Sequence, residues 1–172
     1  LQEVSPDRGT TTYTYDAAGN VRSTTDARNI TVNYTYDPLN RRVLTDYPST
    51  ADVTATYDTA PGCTNGLGRV CTTQDGIQTV NYAYDNFEHL TQLTTTLQGQ
   101  TYTTAYTRDP WGRVTSLTYP GGRPVNYTRD ARGRISTVSA TVNGVITPLI
   151  SSRTYRADDL LSSQTFGNGL ND

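Results

Sequence analysis

At 172 residues and a formal net charge of −2, the chain has the size of one domain, with no compositional break to mark two. All 14 basic residues are Arg, set against 16 acids, which excludes the basic stripe and high pI of a nucleic-acid binder, and no apolar run approaches the ~18 residues of a membrane-spanning helix. Leu, Val, Ile and Phe make up about 18% of the chain, below the roughly 20% that warns of disorder when net charge is high; here the charge is low and 13 Tyr stand in for the missing aliphatics.

Residues 1–12 hold turn formers, Ser5-Pro6-Asp7-Arg8-Gly9, and then Thr10-Thr11-Thr12, which lead into a first strand. Tyr13-Thr14-Tyr15-Asp16-Ala17-Ala18-Gly19-Asn20-Val21 reads as strand, tight turn and return. Asp at the first turn position accepts a hydrogen bond from the turn backbone, and Gly at the fourth tolerates φ > 0 just beyond it. A return strand over Val21 to Asp26 and a connection through Asp26-Ala27-Arg28-Asn29 follow. Ile30, Val32 and Tyr34 alternate with Thr31, Asn33 and Thr35, the period of two of a strand, and this puts Tyr34 and Tyr36 on one face.

The second turn is Asp37-Pro38-Leu39-Asn40, with a return strand from Arg42 that ends before Pro48, a residue unable to donate to a ladder. Val53 to Tyr57 resumes the sheet. Tyr57-Asp58 opens a third unit whose Gly68-Arg69-Val70 is delayed by the insertion Cys63 to Cys71. If Gly66 to Gly68 forms the loop, Cys63 and Cys71 are directly cross-strand, at a Cα separation a disulfide accepts. Such a bond favours an oxidising, extracellular setting; the alternative is two small buried thiols.

Tyr82-Ala83-Tyr84-Asp85-Asn86-Phe87-Glu88-His89-Leu90 is the fourth unit and Tyr106-Thr107-Arg108-Asp109-Pro110-Trp111-Gly112-Arg113-Val114 the fifth, with Pro presetting φ at the second turn position. In the fifth return strand Val114, Leu117 and Tyr119 are spaced three and then two, which strict alternation forbids, so a bulge or two covered faces is expected. Tyr127-Thr128-Arg129-Asp130-Ala131-Arg132-Gly133-Arg134-Ile135 is the sixth unit, and Tyr155-Arg156-Ala157-Asp158-Asp159-Leu160-Leu161 a decayed seventh. Gln74-Asp75-Gly76, Gln98-Gly99-Gln100 and Asn143-Gly144 mark further turns, the last being the sharpest two-residue hairpin signal.

Asp16, Asp37, Asp58, Asp85, Asp109 and Asp130 are separated by 21, 21, 27, 24 and 21 residues, a period that signals a repeat array. The pattern resembles the RHS (YD) repeat, named for its Tyr-Asp pair, from about Tyr13 to about Gly169. Departures are Asn40 and Glu88 where Gly is usual, and Arg108 and Arg129 before the Asp. The expected fold is all-β: antiparallel hairpins joined into one continuous twisted or spiral sheet, a single array over 1–172 with units beginning near 13, 34, 57, 82, 106, 127 and 155. Asp16, Gly19, Asp37, Asn40, Asp58, Gly68, Asp85, Asp109, Gly112, Asp130 and Gly133 are expected at the repeat turns. Tyr13, Tyr15, Tyr34, Tyr36, Tyr57, Tyr82, Tyr84, Tyr106 and Tyr127 are expected to stack along the sheet, in place of an oily core.

Tests for chemistry come out negative. His89 is the one His, read as a solvated turn residue, and two Cys eight residues apart do not make a tetrahedral zinc site. Each loop supplies one carboxylate, where calcium needs several, and regular recurrence assigns the Asp series to turn capping. Trp111 could stack on a sugar, but packing against the neighbouring hairpin is the stronger expectation. Asn29, Asn33 and Asn126 open glycosylation sequons that a Thr-rich strand protein produces by chance.

The resemblance implies a non-catalytic scaffold without cofactor, secreted or at the cell surface. RHS repeats wind shells that in bacteria enclose a toxin domain and in animal teneurins form an extracellular barrel. The expected partners are an enclosed polypeptide cargo, or a second copy paired edge to edge into a filament. The alternative is a cell-surface adhesion or carbohydrate-binding module. A chain that opens on Leu1 and contains no Met is expected to be a piece of something longer.

Overall fold

The structure, a computed structural model, describes residues 1–172 and contains strands and no helix. The strands are β1 (Gln2–Ser5), β2 (Gly9–Tyr15), β3 (Val21–Thr25), β4 (Thr31–Tyr36), β5 (Arg42–Asp46), β6 (Val53–Tyr57), β7 (Val70–Gln74) and β8 (Gln78–Tyr84). They continue as β9 (Leu90–Leu97), β10 (Gln100–Arg108), β11 (Val114–Tyr119), β12 (Arg123–Arg129), β13 (Ile135–Val142), β14 (Val145–Tyr155) and β15 (Leu161–Phe166). Their order in one open 15-stranded sheet is the order of the chain. By internal contacts the chain divides into two compact units, Leu1–Ala83 with Thr95–Gln100, and Tyr84–Thr94 with Thr101–Asp172.

In the first unit the pairs are antiparallel, and each hairpin that carries a repeat Asp turn has the same irregularity. Tyr15 pairs with Val21 but Thr14 pairs with Ser23, so Arg22 is an extra residue on the return strand. The register shifts in the same place at Thr35/Tyr36 and Thr56/Tyr57. In the second unit the shift recurs at Thr107/Arg108, Thr128/Arg129 and Thr154/Tyr155. Arg108 faces Val114 and Tyr106 faces Leu117, with Thr115 bulged between. The bulge therefore explains the three-then-two spacing of Val114, Leu117 and Tyr119: one extra residue returns Val114 and Leu117 to a common face.

The sequence missed β1, which pairs Gln2 with Thr12 through Ser5 with Gly9; only its turn formers were legible. At Asn143-Gly144, φ values of +51° and +78° and the pairing of Val142 with Val145 give the expected tight hairpin.

The sheet is one layer thick. Only Thr45, Gly66 and Cys71 are buried. Cohesion comes from cross-strand neighbours, the unit of sheet stabilisation. One face of the second unit sets Tyr106 against Leu117, Leu117 against Val125 and Tyr127 against Val138. The other pairs hydroxyls, with Thr107 Oγ1 3.0 Å from Thr115 Oγ1 and Thr128 Oγ1 2.6 Å from Thr137 Oγ1.

Candidate functional site

The most elaborated part of the molecule is the row of Asp turns between the two strands of each repeat. The backbone N–H of Asp16 donates to Asn20 O at 2.9 Å, and the Gly19 N–H donates back to Asp16 O at 3.2 Å. Asp16 Oδ1 accepts from the N–H of Ala18 and of Asn20, both at 2.9 Å. A single carboxylate oxygen thus serves the second and fourth residues after it, and the third residue takes positive φ. Asp37, Asp85, Asp109 and Asp130 repeat the arrangement, with positive φ at Asn40, Glu88, Gly112 and Gly133. Asn and Glu stand where Gly is usual because they accept the same backbone conformation, at a cost Gly avoids.

The other carboxylate oxygen takes the side chain of the fourth residue. Asp16 Oδ2 accepts from Asn20 Nδ2 at 3.0 Å, and Asp37, Asp109 and Asp130 accept from the Nε of Arg41, Arg113 and Arg134 at 2.7–2.8 Å. Asp85 Oδ2 lies 3.1 Å from His89 Nδ1. His89 is therefore a half-buried turn fastener, where the sequence had suggested a solvated residue.

The fourth side chain also reaches the next turn. Asn20 Nδ2 donates to Asn40 Oδ1 at 2.8 Å, and Arg134 Nη1 donates to Asp159 Oδ1 at 2.7 Å. Arg41 Nη1 and Nη2 grip both oxygens of Asp58 at 3.0 and 2.6 Å. Where the next turn has Gly, the side chain lies over it: a Cβ at Gly112 would sit 2.9 Å from the His89 ring, and one at Gly133 would overlap Arg113 Nη1. These contacts form rungs along the edge.

The residue before each Asp performs a second task. The Tyr36 hydroxyl donates to Val21 O at 2.9 Å, Tyr57 to Arg42 O at 3.2 Å and Tyr155 to Ile135 O at 2.6 Å. Each acceptor is the first residue of the preceding return strand, at the bulge, where the ladder is interrupted and the carbonyl needs a donor. Arg108 and Arg129 replace Tyr and do the same: their Nη2 donates to Leu90 O at 3.3 Å and to Val114 O at 3.1 Å. The Arg for Tyr departures thus keep the donor and change the residue.

Among the other tyrosines, Tyr13 donates to Glu3 at 3.0 Å, the Tyr34 hydroxyl lies 3.1 Å from Thr24 Oγ1, and that of Tyr82 3.5 Å from Thr73 Oγ1. Guanidinium groups lie over the rings of Tyr57 (Arg41, 4.4 Å) and Tyr155 (Arg134, 4.5 Å). Tyr15 is largely exposed.

The third turn accommodates the insertion by splitting its functions. Asp58 N–H still donates to Arg69 O at 3.0 Å and Asp58 Oδ1 still accepts, from Gly68 N–H at 2.7 Å, but the turn carbonyl is now that of Gly66, which accepts from Arg69 N–H at 2.8 Å. Cys63 and Cys71 are joined in a disulfide with Cα atoms 5.4 Å apart. They are not the cross-strand pair the spacing suggested. Cys71 is the bulged residue of β7, and Cys63 lies in the inserted loop because the loop closes again at Gly66. Gly66 is buried beneath the bond: a Cβ there would overlap both sulfurs.

These contacts set the charge state of the row. Arg41, then the Gly68 N–H, holds the Asp58 carboxyl down at about 2. The Asn20 side chain, followed by its N–H, lowers Asp16. At Asp37, Asp85 and Asp109 desolvation pulls upward, but hydrogen bonds from the fourth residue's N–H and side chain outweigh it, and all three stay below the ordinary carboxylate range. A carboxylate so engaged is a poor proton acceptor near neutral pH. No group of three or more His, Cys, Asp or Glu side chains is placed to hold a metal ion.

Sequence reasoning read Asp26-Ala27-Arg28-Asn29 as a plain connection, and it is an eighth Asp turn. Asp26 N–H donates to Ile30 O, Asn29 N–H donates to Asp26 O, and Asp26 Oδ1 accepts from Arg28 and Ile30 N–H, with Asn29 at φ +60°. It is the same turn between β3 and β4, hidden because no Tyr precedes it and Ile30 stands where the fastening side chain would be. In the seventh unit Arg156 occupies the Asp slot, and only the backbone bonds to Asp159 and Leu160 survive. Trp111, expected to pack on a neighbouring hairpin, is 77% exposed and is touched by Arg113 at 4.9 Å.

Solved structures share this fold. The chain superimposes on a TcdB2-TccC3 crystal structure with a TM-score of 0.87 at 16% identity, over 99% of this chain and 10% of that one. A TcdB2-TccC3-Cdc42 crystal structure gives 0.83 at 17%, over 99% and 10%. The Photorhabdus luminescens Tc holotoxin pore gives 0.82 at 18%, over 98% and 9%. The chain thus spans about a tenth of the length of these proteins. No curated protein matches it in sequence. The RHS Repeat family model matches at residues 15–51, which hold the Asp16 and Asp37 turns, and 109–145, which hold the Asp109 and Asp130 turns, and these two stretches are RHS repeats.

Proposed function

We propose that the chain is a length of wall in an RHS-repeat shell, a non-catalytic scaffold whose Tyr-bearing face is turned toward an enclosed polypeptide. The observation that carries this is the single-layer sheet: Tyr106, Leu117, Tyr127 and Val138 share a face that no second layer covers, while every repeat Asp is committed to holding its turn. A face of this kind suits a surface that cradles something else. The Cys63–Cys71 disulfide supports a secreted or cell-surface setting. Cysteines introduced one at a time at Leu117 and Ser116, which point to opposite faces, test the reading in the natural assembly. Enclosure protects Leu117→Cys from a bulky maleimide and leaves Ser116→Cys reactive; equal labelling overturns it.

The other assembly open to such a wall is a filament joined through sheet edges. Negative-stain imaging of the natural product separates the two, with hollow particles supporting the shell and extended fibres the filament. A second reading, contact with glycans, has its own observation: the exposed indole of Trp111.

A further inference from the structure

At every repeat Asp but Asp58, the N–H of the second residue after it donates to the Asp Oδ1, and the side chain of that residue leaves the turn. Ala18 and Arg132 fill that slot as readily as any other residue. In the fourth and fifth turns the slot holds Phe87 and Trp111, 78% and 77% exposed, so two large rings stand in water where the fold asks for nothing apolar. Isolated exposed rings need no explanation, but two on consecutive turns of one unit do.

The two turns are neighbours, as the His89 ring lying against Gly112 shows. Two strands separate them, which sets the two turns about 10 Å apart. Beside Phe87 runs an open groove of about 490 Å³ that reaches Asp109 and Pro110 of the Trp111 turn, with Asn86, Thr91, Tyr106 and Arg108 offering hydrogen bonds along it. Trp111 is held in advance: Arg113, anchored on Asp109 at 2.7 Å, stacks on the indole at 4.9 Å and leaves the opposite ring face to solvent. A ring fixed before binding loses little entropy on contact.

The geometry points to Phe87 and Trp111 as a two-ring platform for an extended, neutral, β-1,4-linked polysaccharide chain. This rests on the glycan reading and not on the shell. Three features select that ligand. An aromatic face carries negative charge density and attracts the axial C–H groups that an all-equatorial pyranose presents on its flat side. In an extended β-1,4 chain every second sugar shows the same side, a repeat of one disaccharide, close to the two-strand spacing of the turns that carry the rings; a coiled α-linked chain loses that register. The groove sets the carboxylates of Asp85 and Asp109 beside the guanidinium groups of Arg108 and Arg113, two acids against two arginines, so it lacks the positive field that would draw nucleic acid. A platform one ring wide also falls short of the ~1,000 Å² a stable protein interface needs, whereas a linear polymer is itself one ring wide.

Trp111 is the only Trp in the chain, so its fluorescence reports the site directly. Titration with chitohexaose and cellohexaose is expected to shift Trp111 emission saturably, at least tenfold more tightly than the matching disaccharides, with maltohexaose inactive. Trp111→Ala and Phe87→Ala should each lower retention on insoluble chitin or cellulose about tenfold while far-UV circular dichroism is unchanged. No response to any oligosaccharide overturns both this inference and the glycan reading, and leaves the shell untouched. Equal response to maltohexaose overturns the linkage assignment, and undiminished retention of both variants overturns the site. A concentration-dependent emission shift without sugar, matched by dimers in ultracentrifugation that Trp111→Ala abolishes, makes this edge a protein contact instead.

Discussion

The two compact units solve the same problem with different side chains. In the first, Tyr36 and Tyr57 cap the carbonyl freed by the preceding bulge, and Arg41 is free to lie over the Tyr57 ring while gripping Asp58. In the second, Tyr155 keeps that solution on Ile135 O, but Arg108 and Arg129 replace Tyr at the two turns before it, and Arg113, with no Tyr ring ahead of it, runs over Gly133 and stacks on its own turn's Trp111. The Arg solution gives two bonds per residue, since Nη1 also donates to Gly112 O or Gly133 O at 3.1 Å, but it leaves the Nε of both residues buried without a partner. The units also treat the first Tyr differently. Thr24 and Thr73 give the Tyr34 and Tyr82 hydroxyls a polar neighbour, whereas Tyr106 and Tyr127 face Leu117 and Val138. What the repeat requires is a donor at a fixed place and a filled face beside it; residue type is secondary.

The largest expected effect lies where the first unit has no counterpart in the second, the inserted loop. Gly66→Ala puts a methyl group into both sulfurs of the disulfide and within 2.8 Å of Asp58 O, and the bond prevents the loop from yielding. Overpacking of this kind should cost about 3 kcal/mol. Gly19→Ala meets only open space and pays for its φ of +87° alone, about 1 kcal/mol. Chemical denaturation of the two variants checks the contrast, and reduction of the disulfide should narrow it.

Acid should sharpen the comparison next. The Asp58 carboxyl sits at about 2 when folded against roughly 3.9 when unfolded. The unfolded chain therefore binds the proton more readily, so the stabilisation is fully present above about pH 4 and is lost as pH falls through about 2. Arg41→Gln removes the main cause of the depression. Its thermal midpoint should fall below that of the parent chain at pH 7 and converge with it as pH drops below about 2; parallel curves across that range would show that Arg41 acts through neither Asp58 nor Asp37.

The Asp turns were legible because every requirement is local: a carboxylate, two N–H groups within four residues and a positive φ at the third. The bulge was legible too, as a broken alternation at Val114 and Leu117. The purpose of the Tyr in each Tyr-Asp pair was not, because its acceptor lies 15 residues back for Tyr36 and 20 for Tyr155, and no pattern within one repeat points there. The rungs were hidden for the same reason, as Arg41 reaches Asp58 across 17 residues. Asp26 shows the opposite failure: its turn is local, but it lacks the flanking Tyr that had come to stand for the motif.

Tyr36→Phe isolates the donor, since the ring stays and only the bond to Val21 O is lost. About 1 kcal/mol is expected, read as a shift in the denaturation midpoint without a change in slope. The smallest effect should come from exchanging one solution for the other. Arg129→Tyr keeps a donor for Val114 O and removes the unpartnered Nε, while losing the bond to Gly133 O; it also offers Arg113 a ring in the position that Tyr57 offers Arg41. Gains and losses of this size should leave stability within about 0.5 kcal/mol. Arg129→Leu, which fills the space and donates nothing, should cost about 1 kcal/mol or more by leaving that carbonyl unsatisfied. If Tyr and Leu at this position behave alike, the residue before each Asp serves only to cover the sheet, and the two units differ in packing alone.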